Sequence, residues 1–303
     1  FTATGRCAVK TQTGLVLALK YHLSDNERLT EQMLRKLLRV NKNKLNTGFV
    51  GTPLLCNVLT EHGMTDLAYR LLLNEEYPGW LHEVKLGATT VWERWNSLDE
   101  NGRISSTGMN SLNHYSYGAV LEWIFRHVAG IDVTEQGPGG KMMRISPKVD
   151  HKLGSASAVY DSASGCYRCG WQIENGDQIT VTVTVPFGAK AQVILPYAPD
   201  SVYHDTDNPL FETVENGICC VKAGQYTVTY KAASPLKKSY SVDSTLEDLL
   251  AEPAIRAFLS NMMEVDMIPD LAYGLTLRQA AEAFAGGVSA EQAQRLNVLL
   301  EEF

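Results

Sequence analysis

A carboxylate between two tryptophans is the group in this sequence best suited to chemistry. The segment Gly87–Trp95 reads Gly-Ala-Thr-Thr-Val-Trp-Glu-Arg-Trp, which places Glu93 between Trp92 and Trp95 with an arginine beside it. Aromatic faces pack well against the apolar faces of a pyranose ring. A carboxylate can orient and deprotonate a water molecule. The segment therefore indicates a sugar site in which Glu93 acts on water.

A structural interpretation of the same residues is also open. Thr90 and Glu93 have the spacing of a capping box, in which a threonine caps a helix and a glutamate at the third helical position bonds back to the cap. On that interpretation the carboxylate of Glu93 stabilises its own helix and takes no part in chemistry. The segment by itself does not decide between the two.

A second polar cluster follows at Met109–Tyr117. It contains two asparagines, His114 and two tyrosines, at the start of a helix that the apolar spacing predicts from about Ser111 to Val128. Side chains at the start of such a helix can reach the rim of a cavity, but a histidine with a purely structural hydrogen bond fits the same pattern. Trp80, in Tyr-Pro-Gly-Trp, fits either a pocket wall or the core.

Three regimes of composition predict the elements that position these residues. In residues 1–130, apolar side chains recur every three or four positions, which predicts helical hairpins with short connectors. In residues 131–240 the pattern alternates, most strictly over Gln178–Val185, and the turn signals between short strands predict an antiparallel β-sandwich. Residues 241–303 return to helical spacing and indicate a small helical module for packing or oligomerisation. Its capping boxes begin at Ser244, Thr276 and Ser289.

The charge of the chain argues against two kinds of partner. Its 303 residues carry a net charge of -7, with a pI near 5.6, whereas a nucleic acid or an anionic membrane requires a basic face. The basic stretch Arg28–Lys44 interleaves its charges with leucines at helical spacing, which is typical of a solvated helix face. No apolar run approaches the roughly 18 residues that span a bilayer.

The six cysteines offer one place for metal or redox chemistry. Cys166 and Cys169 have CxxC spacing, and the candidate for a second ligand pair is the adjacent pair Cys219 and Cys220. Adjacent residues on a strand point to opposite faces and chelate poorly. We therefore interpret the cysteines as structural thiols and expect no metal. Scattered thiols favour a reducing compartment such as the cytoplasm.

Five motifs follow one another in the helical part of the chain: Thr47–Pro53, Glu61–Leu72, Tyr77–Trp80, Gly87–Trp95 and Met109–Gly118. In order and in spacing they resemble the bacterial α-L-rhamnosidases of glycoside hydrolase family 78. The sandwich, including Pro186–Pro196, is similar to the C-terminal β-domain of that family. The resemblance covers about residues 5–200.

The resemblance implies a fold and a reaction. The fold is an (α/α)6 barrel, six helical hairpins in a ring, of which residues 1–130 form the C-terminal half. The reaction is hydrolysis of a terminal α-L-rhamnosyl bond with inversion, and the substrate is a rhamnose-containing glycoside. Inverting hydrolysis uses two carboxyl groups about 6.5–9.5 Å apart, one as base and one as acid. No metal or organic cofactor is required, because water is the second substrate.

The resemblance also implies roles for single residues. Glu93 falls on the proposed general base of the family, and His114 falls on a substrate contact. Trp80, Trp92 and Trp95 are further candidates for the walls of the pocket. The general acid of the family lies in an acidic motif upstream of the region that this chain resembles. We therefore expect the chain to need the N-terminal part of the same protein and to be inactive without it.

Two alternative functions stay open. The barrel scaffold is shared among many activities, so another glycosidase or a lyase that acts on a different sugar has the same general features. A non-catalytic carbohydrate-binding protein descended from the enzyme would also keep the aromatic side chains. Replacing Glu93 in the complete protein distinguishes the two: an enzyme should lose most of its activity, whereas a binding protein should lose little.

Overall fold

The described residues group into two compact units. The structure, a computed structural model, describes residues 1–2, 5–105, 108–134, 137–205, 207–269, 272–284 and 286–301. One unit comprises residues 1–38 and 44–236, and the other comprises residues 39–43 and 237–303. This grouping does not test the boundaries at residues 130 and 240, which stay predictions.

Helices come first in the larger unit, as the apolar spacing predicts. They are α1 (Gln12–Lys20), α2 (Glu27–Val40), α3 (Thr52–Glu61), α4 (Thr65–Leu72), α5 (Trp80–Lys85) and α6 (Val120–Trp123). Their buried faces are built from leucines three or four positions apart, such as Leu15 and Leu19 in α1. Helix α3 packs against α1, α4 and α6 and is the central helix of this layer. In the described part of the chain, no helix is long and apolar enough to cross a bilayer.

The last helix begins later than the sequence pattern predicts. Helix α6 is preceded by a 3₁₀ turn, Ser116–Ala119, and continues into a π-helical turn, Ile124–Val128. The prediction of a helix from Ser111 was wrong, because backbone groups of residues 111–114 pair with those of residues 91–93. Amide and carbonyl groups that are paired across the chain are not available to extend a helix.

Two β-sheets form the remainder of this unit. The strands are β1 (Ile131–Val133), β2 (Met142–Ile145), β3 (Ser155–Ser162), β4 (Gly165–Glu174), β5 (Gln178–Val185), β6 (Lys190–Val193), β7 (Val214–Glu215), β8 (Ile218–Val221) and β9 (Gly224–Lys231). One sheet has the order β1-β2-β6-β8-β7, and the other has the order β3-β4-β5-β9. The predicted antiparallel sandwich is confirmed, except that β2 and β6 pair in parallel.

Strand β5 shows how the alternating sequence produces one of these sheets. Its isoleucine and valines, from Ile179 to Val185, are buried, and the threonines between them lie on the opposite face. β4 pairs along one edge of β5 and β9 along the other. The strand spans the predicted range Gln178–Val185, so period-two alternation located both of its ends.

Buried aromatic side chains tie the helices to the sheets within this unit. The indole N–H of Trp171 in β4 donates to the carbonyl of Val128, at the end of the π-helical turn, over 2.7 Å. The hydroxyl of Tyr69 in α4 donates to the carbonyl of Lys148, and its ring meets Trp123 edge-on at 5.2 Å. Because a buried polar group without a partner is costly, these bonds fix where the last helical turn meets the sandwich.

The cysteines differ in how far they are buried. All six are free. Cys219 is buried and Cys220 is exposed, as expected for neighbours on a strand. Cys169 is buried while Cys166 is half-buried. No group of three potential metal ligands occurs among the described residues.

The second unit is a small helical module with its own apolar core. Its helices are α7 (Leu246–Ala251), α8 (Pro253–Ser260), α9 (Leu277–Phe284) and α10 (Ala290–Glu301). Reciprocal bonds confirm the capping boxes that begin at Thr276 and Ser289. The box predicted at Ser244 was wrong by one residue, because Thr245 caps α7 and its hydroxyl accepts a bond from the Asp248 amide over 3.1 Å.

Candidate active site

The two polar segments singled out in the sequence lie against each other. The Glu93 amide donates to the Ser111 carbonyl over 2.9 Å, and the His114 amide donates to the Val91 carbonyl over 2.7 Å. The hydroxyl of Thr90 adds a bond to the carbonyl of Leu112. This pairing resembles a short β-ladder and brings the predicted base and the predicted histidine contact to one place.

Glu93 lies in a turn, not at the start of a helix. Residues 88–97 contain no helix, so the capping-box interpretation of Thr90 and Glu93 was wrong. The side chain of Glu93 is half-buried. Burial raises the pKa of the nearby Tyr117 hydroxyl, and the charges of Glu83 and Glu93 raise this pKa further. Among the described residues, the Glu93 carboxylate forms no salt bridge or hydrogen bond.

A buried serine holds the turn that follows Glu93. Ser97 is 0% exposed, and its hydroxyl accepts a bond from the Arg94 amide over 3.1 Å. The same hydroxyl donates to Asn110 Oδ1 over 2.6 Å, and Asn110 Nδ2 donates back to the Ser97 carbonyl over 2.9 Å. Both polar groups of Asn110 are therefore used to join the two segments, which is a structural role.

An aromatic cluster lies next to the turn. The rings of Trp95 and Tyr117 stack at 3.9 Å with planes only 3° apart, and Trp80 meets Trp95 edge-on at 5.4 Å. The Trp80 indole N–H donates to the Tyr117 carbonyl over 2.9 Å, and the Trp95 indole N–H donates to the Thr47 carbonyl over 3.1 Å. Both indole N–H groups are thus bonded within the protein, so the two tryptophans can contribute to a site only through the shape of their rings.

Burial limits how much surface the three predicted wall residues offer to a ligand. Trp92 and Trp95 are buried, and Trp80 is partly buried against the core. Trp92 lies directly before Glu93 in the sequence, whereas Trp80 and Trp95 belong to the aromatic cluster with Tyr117. Their role as pocket walls stays a prediction.

His114 is half-buried and held in a defined orientation. The Ser116 amide donates to His114 Nδ1 over 3.3 Å, so Nδ1 acts as an acceptor and the neutral ring carries its proton on Nε2. The ring stacks on Phe49 at 4.8 Å and on Tyr115 at 5.1 Å, each with an interplanar angle of 16°. His114 can therefore offer an oriented N–H donor.

Sequence reasoning missed Glu83, a buried carboxyl group on α5. Glu83 is 4% exposed, and its Oε1 has no hydrogen-bond partner in the described part of the chain. Burial raises its pKa to about 8, so the group is largely protonated at neutral pH. Trp80 and Glu83 are three residues apart and share a helix face. Because Trp80 was a candidate pocket residue, this spacing could have pointed to Glu83 as a neighbour of the site.

The helical part of the chain and the sandwich that follows it have the fold class of the six-hairpin glycosidase domain and its C-terminal β-domain. Residues 1–128 match the family described as bacterial alpha-L-rhamnosidase 6 hairpin glycosidase domain. Residues 130–208 match the bacterial alpha-L-rhamnosidase C-terminal domain. The chain belongs to the bacterial α-L-rhamnosidase family, which confirms the resemblance seen in the five motifs and the expected fold class.

Curated relatives and solved structures agree with this assignment. An α-L-rhamnosidase of Alteromonas sp. (strain LOR) is 39% identical over 221 residues, which is 72% of this chain and 23% of the relative. One from Formosa agariphila is 39% identical over 209 residues, 68% of this chain and 22% of the relative. The crystal structure of the Streptomyces avermitilis α-L-rhamnosidase complexed with L-rhamnose is 33% identical, with a TM-score of 0.69, and covers 76% of this chain and 22% of that one.

A native α-L-rhamnosidase from Aspergillus terreus is also similar in structure. Its TM-score is 0.66 at 29% identity, and the match covers 78% of this chain and 25% of that one. The chain thus spans about a quarter or less of the length of these relatives. The family matches reach residue 208 and do not include residues 237–303, the longer segment of the second compact unit.

Proposed function

We propose that this chain carries the general base of an inverting α-L-rhamnosidase and that the base is Glu93. The observation that carries the proposal is the position of Glu93 in a turn whose backbone pairs with the segment of His114, with its carboxylate close enough to Tyr117 to raise the pKa of that hydroxyl and without an ion pair among the described residues. A carboxylate that is used neither by a cation nor by a helix terminus can accept a proton from water. The names of the relatives support a rhamnose-containing glycoside as the substrate.

In this reaction Glu93 takes a proton from a water molecule while the water oxygen attacks the anomeric carbon. The bond between that carbon and the glycosidic oxygen breaks, and a second, protonated carboxyl group gives its proton to the departing oxygen. Water enters on the face opposite the leaving group, so the configuration at the anomeric carbon is inverted. A separation of about 6.5–9.5 Å between the two carboxyl groups admits the water.

His114 is proposed as a donor to a hydroxyl of the sugar. Because the Ser116 amide occupies Nδ1, the Nε2–H of the neutral ring is the group left for a substrate. Trp80, Trp92 and Trp95 are proposed as parts of the pocket wall. Since Trp92 and Trp95 are buried, they act mainly by supporting the wall and offer little aromatic face to the sugar.

The general acid is proposed to come from the N-terminal part of the same protein. This chain corresponds to 23% and 22% of the two curated relatives, and the family places the acid in a motif outside the matched region. The proposal assigns residues 1–130 to the C-terminal half of the catalytic barrel, residues 131–240 to the sandwich and residues 241–303 to a separate helical module.

Replacement of the base in the complete protein tests the proposal. Glu93→Gln keeps the shape of the side chain but cannot accept a proton, so kcat on an aryl α-L-rhamnoside should fall by about 10²–10⁴-fold while rhamnose binding persists. Glu100→Gln, at an exposed position in the following turn, is the matched control and should be neutral. A loss below tenfold for Glu93→Gln would overturn the assignment of the base.

Two further measurements address the alternatives. The anomer first released from the aryl α-L-rhamnoside, followed by NMR, should have the inverted configuration. An enzyme specific for another sugar would instead prefer an aryl glucoside or fucoside to the rhamnoside. A carbohydrate-binding protein would bind rhamnose but would hydrolyse none of the three substrates.

A further inference from the structure

We propose that Phe49 is a positioning residue whose ring holds the His114 imidazole in the orientation that presents Nε2–H to the sugar. The inference rests on the proposed role of His114 in substrate binding. Phe49 is 44% exposed, and its ring lies nearly parallel to the imidazole at 4.8 Å, with a tilted contact to Tyr117 at 5.7 Å. It therefore connects the histidine to the buried aromatic cluster.

The loop that carries Phe49 is held firmly on its N-terminal side. Gln12, which is buried in α1, uses its side chain as a clamp on the approaching backbone. Its Nε2 donates to the Lys44 carbonyl over 2.9 Å, and its Oε1 accepts a bond from the Asn46 amide over 2.8 Å. A buried amide with both ends paired fixes the backbone on which Phe49 stands.

The two ends of this loop are also joined to each other. The buried hydroxyls of Thr47 and Thr52 bond to each other over 2.8 Å, and the Thr47 carbonyl accepts the Trp95 indole N–H over 3.1 Å. Gly51 packs so closely that an added Cβ would overlap Thr13 and would lie 2.9 Å from a methyl group of Thr47. The backbone on both sides of Phe49 is therefore held in place, which limits the directions that its ring can take.

The backbone of His114 is fixed, but its imidazole ring is held by only one hydrogen bond. The amide pairing with Val91 fixes the His114 main chain, and the single bond from Ser116 to Nδ1, at 3.3 Å, is long. Parallel stacking against Phe49 opposes rotation of the ring and keeps Nε2–H pointed in one direction. Pre-orienting a donor lowers the entropy lost when substrate binds. Tyr115 is a poorer support, because its own ring is 84% exposed.

Kinetics of the complete protein on an aryl α-L-rhamnoside provide the first test. Phe49→Leu should raise KM by about three- to tenfold, the range expected for loss of one aromatic pair, and should change kcat by less than about twofold. Phe49→Tyr keeps the stack and should restore KM. Phe187→Leu, at a 97% exposed position in the sandwich, is the matched control and should leave both constants unchanged.

A double-mutant cycle distinguishes positioning from direct contact with the sugar. If Phe49 acts through His114, adding Phe49→Leu to His114→Ala should change KM by less than about twofold. Independent, multiplying effects of the two substitutions would overturn the proposal. An unchanged KM for Phe49→Leu alone would overturn it as well.

The ring contact can also be measured without activity. In long-range ¹H–¹⁵N spectra of the 303-residue chain, the His114 signals, assigned by their loss in His114→Ala, should show the Nε2–H tautomer and an upfield ring-current shift. Phe49→Leu should reduce that shift to the part caused by the Tyr115 ring, and Phe187→Leu should leave it unchanged. If the complete wild-type protein hydrolyses no rhamnoside, the proposed function fails. The spectra then still test whether Phe49 holds the His114 ring in place. His114 signals that are the same in wild type and Phe49→Leu would refute this contact.

Discussion

Trp95 and Tyr117 stack face to face, with ring centres 3.9 Å apart and planes within 3°. The pair joins the segment that contains Glu93 to the segment that contains His114. Since Trp80 packs on the edge of Trp95 and donates its indole N–H to the Tyr117 carbonyl, three motifs that are separate in sequence meet in one cluster. The geometry of the candidate site depends on this contact.

Removal of either ring of this pair should destabilise the protein. Trp95→Leu and Tyr117→Leu should each lower the free energy of unfolding by about 2–4 kcal/mol, because both side chains are buried. The coupling energy of the double mutant should be about 0.5–1.5 kcal/mol. Urea unfolding followed by far-UV circular dichroism measures these values. Tyr115→Leu, at an exposed site, should cost less than about 0.5 kcal/mol, and zero coupling between Trp95 and Tyr117 would contradict the argument.

Glu83 should make stability depend on pH. Burial raises its pKa from 4.5 to about 8 in the folded protein, so between these values the folded state holds a proton that the unfolded state has lost. Its contribution to stability is fully present below about pH 4.5 and declines as pH rises towards 8, by at most about 1.4 kcal/mol per pH unit. Glu83→Gln does not ionise, so its stability relative to wild type should increase over the same window.

Urea unfolding of wild type and Glu83→Gln at several pH values between 4.5 and 9 measures that difference. The exposed Glu100→Gln variant is the control, because its side chain has the same chemistry without burial. The difference between Glu83→Gln and wild type should level off above pH 8, where the carboxyl group is ionised in both states. A difference that stays constant across the window would show that Glu83 does not hold its proton in the folded protein.

The 303-residue chain by itself should not hydrolyse an aryl α-L-rhamnoside. The proposed reaction needs a protonated carboxyl group for the leaving oxygen, and without it kcat/KM should be lower than that of the complete protein by at least about 10²–10⁴-fold. Adding the N-terminal part of the protein as a separate chain should restore turnover. The same mixture with Glu93→Gln should stay inactive, and clear turnover by the isolated chain would disprove the need for an external acid.

Local patterns in the sequence determined several elements without help from the rest of the fold. The alternation of Gln178–Val185 located β5, since in a sheet buried on one side every second residue faces the core. The spacing of Thr276 and Gln279 located a helix start, because a capping box is closed between residues three apart. The order of five motifs was enough to assign the family, because each motif has its own residue types and spacing.

Tertiary structure alone decided the arrangement of the candidate site. Thr90 and Glu93 satisfy a capping rule in the sequence, yet no helix forms there, because the backbone of this segment pairs with residues 111–114. The same pairing delays the start of the last helix. The stack of Phe49 on His114 and the burial of Glu83 likewise depend on contacts between residues far apart in the chain. Capping and periodicity describe interactions between residues only a few positions apart. Because the hydrogen bonds and ring contacts of the site join residues far apart in the chain, no local pattern predicts their free energy.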